Sequence, residues 1–179
     1  MDRARANAAS FCTCATRRAI ANDTMSIKAP TAARIERALF KKEQPRLNSL
    51  EAEQTRLMNL LGRLEKDPKF PKAELDDIGA QLDKVRSTII DEVALMGSAL
   101  NTEIGKRAAD KNFPPQQLAT MKEHLARIKD TLGGVIYARF NNLNTKELSS
   151  LVEGAIANPK DAAAAAAKRS EADWNLYKR

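Results

Sequence analysis

The stretch KAELDDIGAQLDKVRSTIIDEVALMGSALNTEIGKRAADK, residues 72–111, decides the fold class. Its apolar residues recur in steps of three and four, at Leu75, Ile78, Leu82, Val85, Ile89, Val93, Met96, Leu100 and Ile104. This spacing is the a and d seam of a coiled coil, so it predicts one long amphipathic helix. A helix over the whole stretch would be about 60 Å long at 1.5 Å per residue, which is long for a compact globule.

Two flanking stretches have the same spacing, with steps of 3, 4, 3, 4 and 3. One seam consists of Leu47, Leu50, Gln54, Leu57, Leu61 and Leu64, and the other of Leu118, Met121, Leu125, Ile128, Leu132 and Val135. The polar residue Gln54 in the first seam is expected to fix helix register. The short proline-containing connections EKDPKFP and NFPP leave no length for a crossover, so they predict antiparallel neighbours.

Composition agrees with helices, because aromatic residues make up only 4% of the chain and unbranched helix formers are abundant. We therefore predict an all-α fold, an elongated antiparallel helical bundle of three long coiled-coil-like helices over residues 31–143. A short C-terminal helical pair, residues 144–179, is expected to pack on this bundle.

Local signals set the ends of the shorter helices. Thr31 after Pro30 is a candidate N-cap of a first helix, and Pro45 predicts either a kink or a short separate helix before the first seam. Asn144 and Glu147 have the spacing of a capping box.

The last helix is predicted to begin with Asn158 as its N-cap and Pro159 at its first position. Its six consecutive alanines favour a helix but offer little to bury. Trp174, Leu176 and Tyr177 are the expected anchor of this helix on the bundle.

Residues 1–30 differ from the rest, with no heptad spacing and few acidic residues. They are interpreted as a disordered tail, a targeting segment, or an extension upstream of a start at Met25. Cys12 and Cys14, with one distant histidine, fall short of the four ligands of a structural zinc site. Because no run of eighteen apolar residues occurs, no membrane insertion is expected. We expect a cytoplasmic protein, or an organelle matrix protein if residues 1–24 are a transit peptide.

The formal charge of +7 raises the question of nucleic-acid binding. The excess is spread thinly: residues 31–72 carry 10 Lys and Arg against 6 Asp and Glu, and residues 73–112 carry 5 against 8. Two antiparallel helices of opposite charge attract each other, so part of this pattern is expected to serve the fold. No aromatic residues interleave with the basic ones as stacking platforms for bases.

No arrangement of residues predicts catalysis, a metal site or a cofactor. His124 is the single histidine, and it lies beside the seam of its helix as a bystander. A nucleophilic site needs a base held against a serine or cysteine, and no motif supplies one. The seven glycines fall inside predicted helices and form no phosphate-binding loop. Some are expected to mark close helix crossings, and Gly133 and Gly134 are expected to bend the third long helix.

The sequence therefore predicts a non-catalytic helical interaction module, a scaffold, adaptor or chaperone-like protein that binds a protein partner or itself. Its expected partner-binding residues are Leu118, Met121, Leu125, Ile128 and Leu132, with Leu57, Leu61 and Leu64 as counterparts. Core packing is also expected for most of them. The alternative is a basic helical nucleic-acid-associated protein that uses Arg34, Arg37, Lys41, Lys42 and Arg46.

Overall fold

The structure, a computed structural model, describes residues 31–140 and 142–168, and every regular element in those ranges is helical. The α-helices are α1 (Ala32–Leu39), α2 (Glu43–Leu64), α3 (Lys72–Ala109), α4 (Pro115–Arg139) and α5 (Thr145–Ala157). A short 3-10 helix (Pro159–Asp161) follows, and residues 162–168 are again helical. The predicted all-α class is confirmed. No helix in these ranges has both the length and the apolar composition needed to cross a bilayer.

The first helix begins where the local signal places it, and it ends at Leu39, six residues before Pro45. The side-chain oxygen of Thr31 accepts a hydrogen bond from the backbone N–H of Arg34, so the predicted N-cap is confirmed. Residues 40–42 form a turn, and α2 starts at Glu43. Pro45 therefore lies in the first turn of α2, where a helix needs no amide donor. Of the two predicted outcomes, the short separate helix is the one observed.

The central element is α3, which packs against α1, α2, α4, α5 and the 3-10 helix. Arg139, the last residue of α4, contacts Asp83 at 3.3 Å, whereas Phe113, just before α4, stacks under the guanidinium of Arg107. Thus α4 runs along residues 83–107 of α3 in the opposite direction. At 38 residues, α3 is about 57 Å long.

Buried side chains form two apolar clusters along α3. The larger cluster combines α3 with α4, α5 and the start of α2, and includes Ile90, Val93, Leu132, Ile136 and Val152. The smaller cluster lies towards the end of α3 and joins it to α1 and α4, through Ala32, Ile35, Leu100, Ile104, Phe113, Met121 and Leu125. Because one long helix lines both clusters, its seam holds the molecule together.

The C-terminal part of the chain packs on this core. Asn144 and Glu147 form the predicted capping box, since the Asn144 side chain accepts from the Glu147 N–H at 3.0 Å and the Asn144 N–H donates to the Glu147 carboxylate at 3.1 Å. The last helical segment begins at the predicted residues, with Asn158 at the N-cap position and Pro159 at the first position, but its first three residues are a 3-10 turn. The side chain of Asn158 makes no cap.

The alanine run is more deeply packed than its composition suggests. Ala162, Ala163 and Ala166 are buried, and the N–H of Ala163 donates to the carboxylate of Asp91 on α3 at 3.0 Å. Each alanine offers little area to bury, as expected, but these small side chains let the backbone approach α3 closely. Trp174, Leu176 and Tyr177 lie outside the described residues, as do Cys12 and Cys14.

One glycine marks a close helix crossing. A Cβ atom added to Gly97 would overlap with Cδ1 of Ile156 on α5 and lie 3.2 Å from Cγ2 of Ile128 on α4. The expectation that some glycines allow close approach thus has support at this position. Helix α4 is continuous through Gly133 and Gly134, and the bend expected there stays a prediction.

Candidate protein interaction surface

One end of the molecule is a two-helix projection, here called the hairpin end. It consists of residues 56–64 of α2, the connection 65–71 and residues 72–82 of α3. Because α4 ends at the level of Asp83, this part of α3 extends beyond α4. Within the described ranges, α2 packs extensively against α3 alone. The hairpin end therefore has a single layer of two helices.

Apolar side chains at the hairpin end are only partly covered. Leu57 and Leu82 are buried, but neither belongs to the two core clusters among the described residues. Met58 is 47% exposed, one of the most exposed large apolar residues in the described part of the chain. Intermediate exposure is shared by Leu60, Leu61, Leu64, Phe70, Leu75 and Ile78. An apolar seam that is half covered in the monomer is a surface to which another helix can bind.

The two sides of the hairpin end carry opposite charge. Residues 56–64 of α2 contain two arginines and no acidic residue, a net +2, and the connection 65–71 is neutral. Residues 72–82 of α3 contain one lysine and three acidic residues, a net −2. A surface with one basic and one acidic side is complementary to an antiparallel copy of itself.

The predicted partner-binding residues fall into two groups, one buried in the monomer and one partly exposed. Buried in the monomer are Leu57, Met121, Leu125 and Leu132, whereas Leu61, Leu64, Leu118 and Ile128 are partly exposed. The four buried side chains present no surface to a partner in this conformation. Their contacts also differ from the expected ones, because the α4 residues belong to the core clusters on α3 whereas Leu57 packs outside them. Only Leu61 and Leu64 lie at the hairpin end.

The basic residues of the nucleic-acid alternative lie around the turn between α1 and α2. Arg34, Arg37, Lys41 and Lys42 are exposed, and none forms an ion pair within residues 31–140 and 142–168. Arg46 has a structural contact that the sequence did not reveal. It pairs with Glu92 at 2.7 Å, and Glu92 is a buried carboxylate with a relative exposure of 5%.

The expectation that His124 is a bystander is wrong. Its Nδ1 donates to the carboxylate of Glu36 on α1, at 2.6 and 2.7 Å from the two oxygens. Burial raises the pKa of Glu36, and the hydrogen bond and charge of His124 lower it in part. The two residues are 88 positions apart, so no spacing in the sequence could have paired them. This contact fixes α1 against α4.

A shallow depression beside Leu39 and Leu95 offers little for chemistry. It has a volume of about 370 Å³ and includes Thr102, Glu103 and Pro159 in its lining. Glu103 is its one carboxylate, and this group already pairs with Arg107 at 2.7 Å. In the part of the chain that the structure describes, no three potential metal-ligating side chains come together.

Comparisons with known proteins identified no protein similar to this chain. The chain matches no protein-family model, no curated protein and no solved structure at a significant level.

Proposed function

We propose that this chain is a non-catalytic helical protein–protein interaction module and that its first partner is a second copy of itself. The observation that carries the proposal is the half-covered apolar seam of the hairpin end, with Met58 exposed at its edge. Burial of apolar area is the main driving force of helix association in water. The hairpin end has an uncovered seam because no third helix lies over it in the described residues.

Charge favours a second copy as the partner. In an antiparallel pair of hairpin ends, the basic α2 side of one copy faces the acidic α3 side of the other, in both directions. Such a twofold contact uses the same patch on both molecules, which is the usual form of a homodimer interface. Two paired hairpins would form a four-helix bundle, in which coiled-coil seams of this spacing pack well.

The proposal includes the elongated antiparallel arrangement of the three long helices. It is supported by two ion pairs: Arg46 near the start of α2 with Glu92 in the middle of α3, and Arg139 at the end of α4 with Asp83. The start of α2 contacts the middle of α3, and the end of α4 contacts the first half of α3, as expected if α2 and α4 both run antiparallel to α3. An elongated shape leaves the hairpin end far from the core clusters, where it is accessible to a partner.

The test replaces one exposed apolar residue at the hairpin end and a matched one elsewhere. Met58→Glu places a charge on the proposed interface, and Leu95→Glu does the same at a residue of α3 that is 39% exposed and lies outside it. We expect Met58→Glu to raise the dimer Kd by about tenfold or more, because a charge would be buried without a partner. Leu95→Glu should leave the Kd within about twofold of the parent value.

Sedimentation velocity over a concentration series measures both dissociation constants. Far-UV circular dichroism establishes that each variant keeps its helical content, which is expected because both side chains are exposed. Equal dimer affinity in the two variants would contradict the assigned surface.

Nucleic-acid binding is the second candidate, favoured by the four exposed basic side chains around the turn between α1 and α2. It predicts binding that weakens steeply with salt as phosphate counterions are released. A protein washed in high salt that shows no nucleic-acid absorbance at 260 nm, and no gel shift at low salt, would remove this candidate. If the parent chain binds nucleic acid and the double variant Arg37→Gln, Lys41→Gln binds it more weakly, the result would support nucleic-acid binding over self-association.

A further inference from the structure

The methionines in the described part of the chain differ in exposure. Met58 on α2 is 47% exposed, whereas Met96 on α3 and Met121 on α4 are 6% and 0% exposed. Met96 belongs to the larger apolar cluster and Met121 to the smaller one. Because a thioether is oxidised where an oxidant can reach its sulfur, exposure makes Met58 the most reactive of these three residues.

The next turn of α2 leaves the side chain of Met58 uncovered. A helical side chain leans towards the N-terminus of its helix, so a side chain at position 62 would lie over position 58. Position 62 is a glycine, and a Cβ atom added to Gly62 would meet nothing within 4 Å. The hairpin end therefore has open space beside Met58, on the surface that we propose for self-association.

Oxidation of Met58 would make this surface more polar. Hydrogen peroxide transfers one oxygen atom to the thioether sulfur: the O–O bond breaks, an S–O bond forms and water leaves, so the sulfur loses two electrons and the peroxide gains them. The product, methionine sulfoxide, has a polar oxygen where the thioether was apolar. Methionine sulfoxide reductases reverse the reaction with two electrons from a dithiol, which becomes a disulfide while the oxygen leaves as water.

The sulfoxide oxygen has different surroundings in the monomer and in the proposed dimer. In the monomer it stays hydrogen-bonded to water, because the side chain is about half exposed. In the dimer it would be buried at an apolar seam, where Leu61, one turn along α2, has no side-chain donor to offer. Because a buried acceptor without a donor is unfavourable, oxidation favours the monomer over the dimer.

We propose that Met58 is a reversible oxidation site, at which a peroxide dissociates the self-associated form of this chain and a sulfoxide reductase restores it. This inference rests on the proposed self-association through the hairpin end and assigns a regulation to that surface. The dimer covers Met58, so the monomer is the form that reacts.

Peptide mapping by mass spectrometry tests the site after the full chain is treated with hydrogen peroxide. At a protein concentration far below the dimer Kd, sulfoxide should form at Met58 well before it forms at Met96 and Met121. At a concentration far above the Kd, the reaction at Met58 should be slower, because the dimer covers the side chain. Equal rates at the three methionines, or a rate at Met58 that does not depend on protein concentration, would overturn the proposal.

Sedimentation velocity of the oxidised chain tests the effect on association. Oxidation should raise the dimer Kd by about tenfold or more, and treatment with the reductases should restore the parent value. Dithiothreitol is added after the peroxide, so that no disulfide contributes to the measured mass.

Met58→Leu is the matched control, because leucine keeps the apolar volume and forms no sulfoxide. Its dimer Kd should lie within about twofold of the parent value both before and after peroxide treatment. The variant keeps every other methionine and both cysteines, so it also reports any effect of oxidation elsewhere in the chain.

The outcomes separate the oxidation site from the self-association on which it rests. An unchanged dimer Kd with Met58 fully oxidised would overturn the oxidation site and leave self-association intact. Equal weakening of the peroxide-treated Met58→Leu variant would also overturn it, because another residue would then carry the effect. A parent chain that is monomeric at every concentration before treatment would contradict self-association itself, and the regulation would fall with it.

Discussion

At the scale of single residues, the contact between Glu36 and His124 sets the position of α1. It is a charge-assisted contact with both partners largely covered, since the side chains are 14% and 32% exposed. Burial disfavours the charged carboxylate, and the imidazole compensates in part. The stability of this contact is therefore expected to depend on pH.

The pH prediction concerns Glu36→Gln. The pKa of Glu36 is raised in the folded state above the ordinary value of 4.5, so its contribution to stability is fully present below about 4.5 and is lost as the pH rises through the folded pKa. The glutamine keeps a hydrogen-bond acceptor for His124 and does not ionise. Relative to the parent chain, the variant should therefore gain in free energy of unfolding as the pH rises from 4 to 7.

Urea unfolding at several pH values measures this difference. Glu65→Gln, at an exposed position, controls for the general loss of one negative charge. A difference that stays constant across the pH range for Glu36→Gln would contradict the assigned role of burial.

A second residue-scale prediction concerns Gly97. Gly97→Ala gains helix propensity of about 1 kcal/mol, but its methyl group meets Ile156 and Ile128 and should cost about 1–3 kcal/mol. Gly105→Ala is the matched control, because a Cβ atom at Gly105 meets nothing within 4 Å. We expect Gly105→Ala to stabilise the protein and Gly97→Ala to be less stable than it by about 1–3 kcal/mol. Equal stabilisation in chemical unfolding would show that the crossing is not tight.

At the scale of elements, helix starts were predictable where a side chain caps them. Thr31 and Asn144 both accept the expected backbone hydrogen bonds, because capping is a local interaction within four residues. Asn158 did not cap, since Pro159 begins a 3-10 turn that precedes the helical residues. The burial of Ala162 was not predictable from composition, because it depends on how closely the segment approaches α3.

The capping box gives an element-scale prediction. Asn144→Ala removes the acceptor for the Glu147 N–H and should lower the free energy of unfolding by about 1 kcal/mol, within a range of about 0.5–2. Asn158→Ala is the control, because its side chain makes no cap, and should change stability by less than about 0.5 kcal/mol. Thermal or urea unfolding distinguishes the two. The prediction fails if both variants lose the same stability.

At the scale of the whole molecule, the all-α class followed from heptad spacing and composition, but the packing partners did not. All three seams have the same steps of three and four, so the pattern does not determine whether α2 packs against α3 or against α4. In the structure α2 packs against α3, and the contacts between α3 and α4 bring Met121 and Leu125 into the core beside α1. Residues of the candidate surface were partly predictable: Leu61 and Leu64 were expected, whereas Met58 lies off the strict seam and was missed.

The whole-molecule claim is that the hairpin end binds a second copy of the chain. The half-covered seam and the two oppositely charged sides of the hairpin end belong to the described structure. That this surface binds a second copy of the chain is our proposal. Because the interface is both apolar and charged, association should tolerate moderate salt and respond to a charge placed at Met58.

The most direct measurement is the molar mass of the full chain in solution, by light scattering after size exclusion, over a wide range of concentrations. We expect the mass to rise from 19.7 kDa towards twice that value as the concentration increases. A mass of 19.7 kDa at every concentration would contradict self-association through the hairpin end.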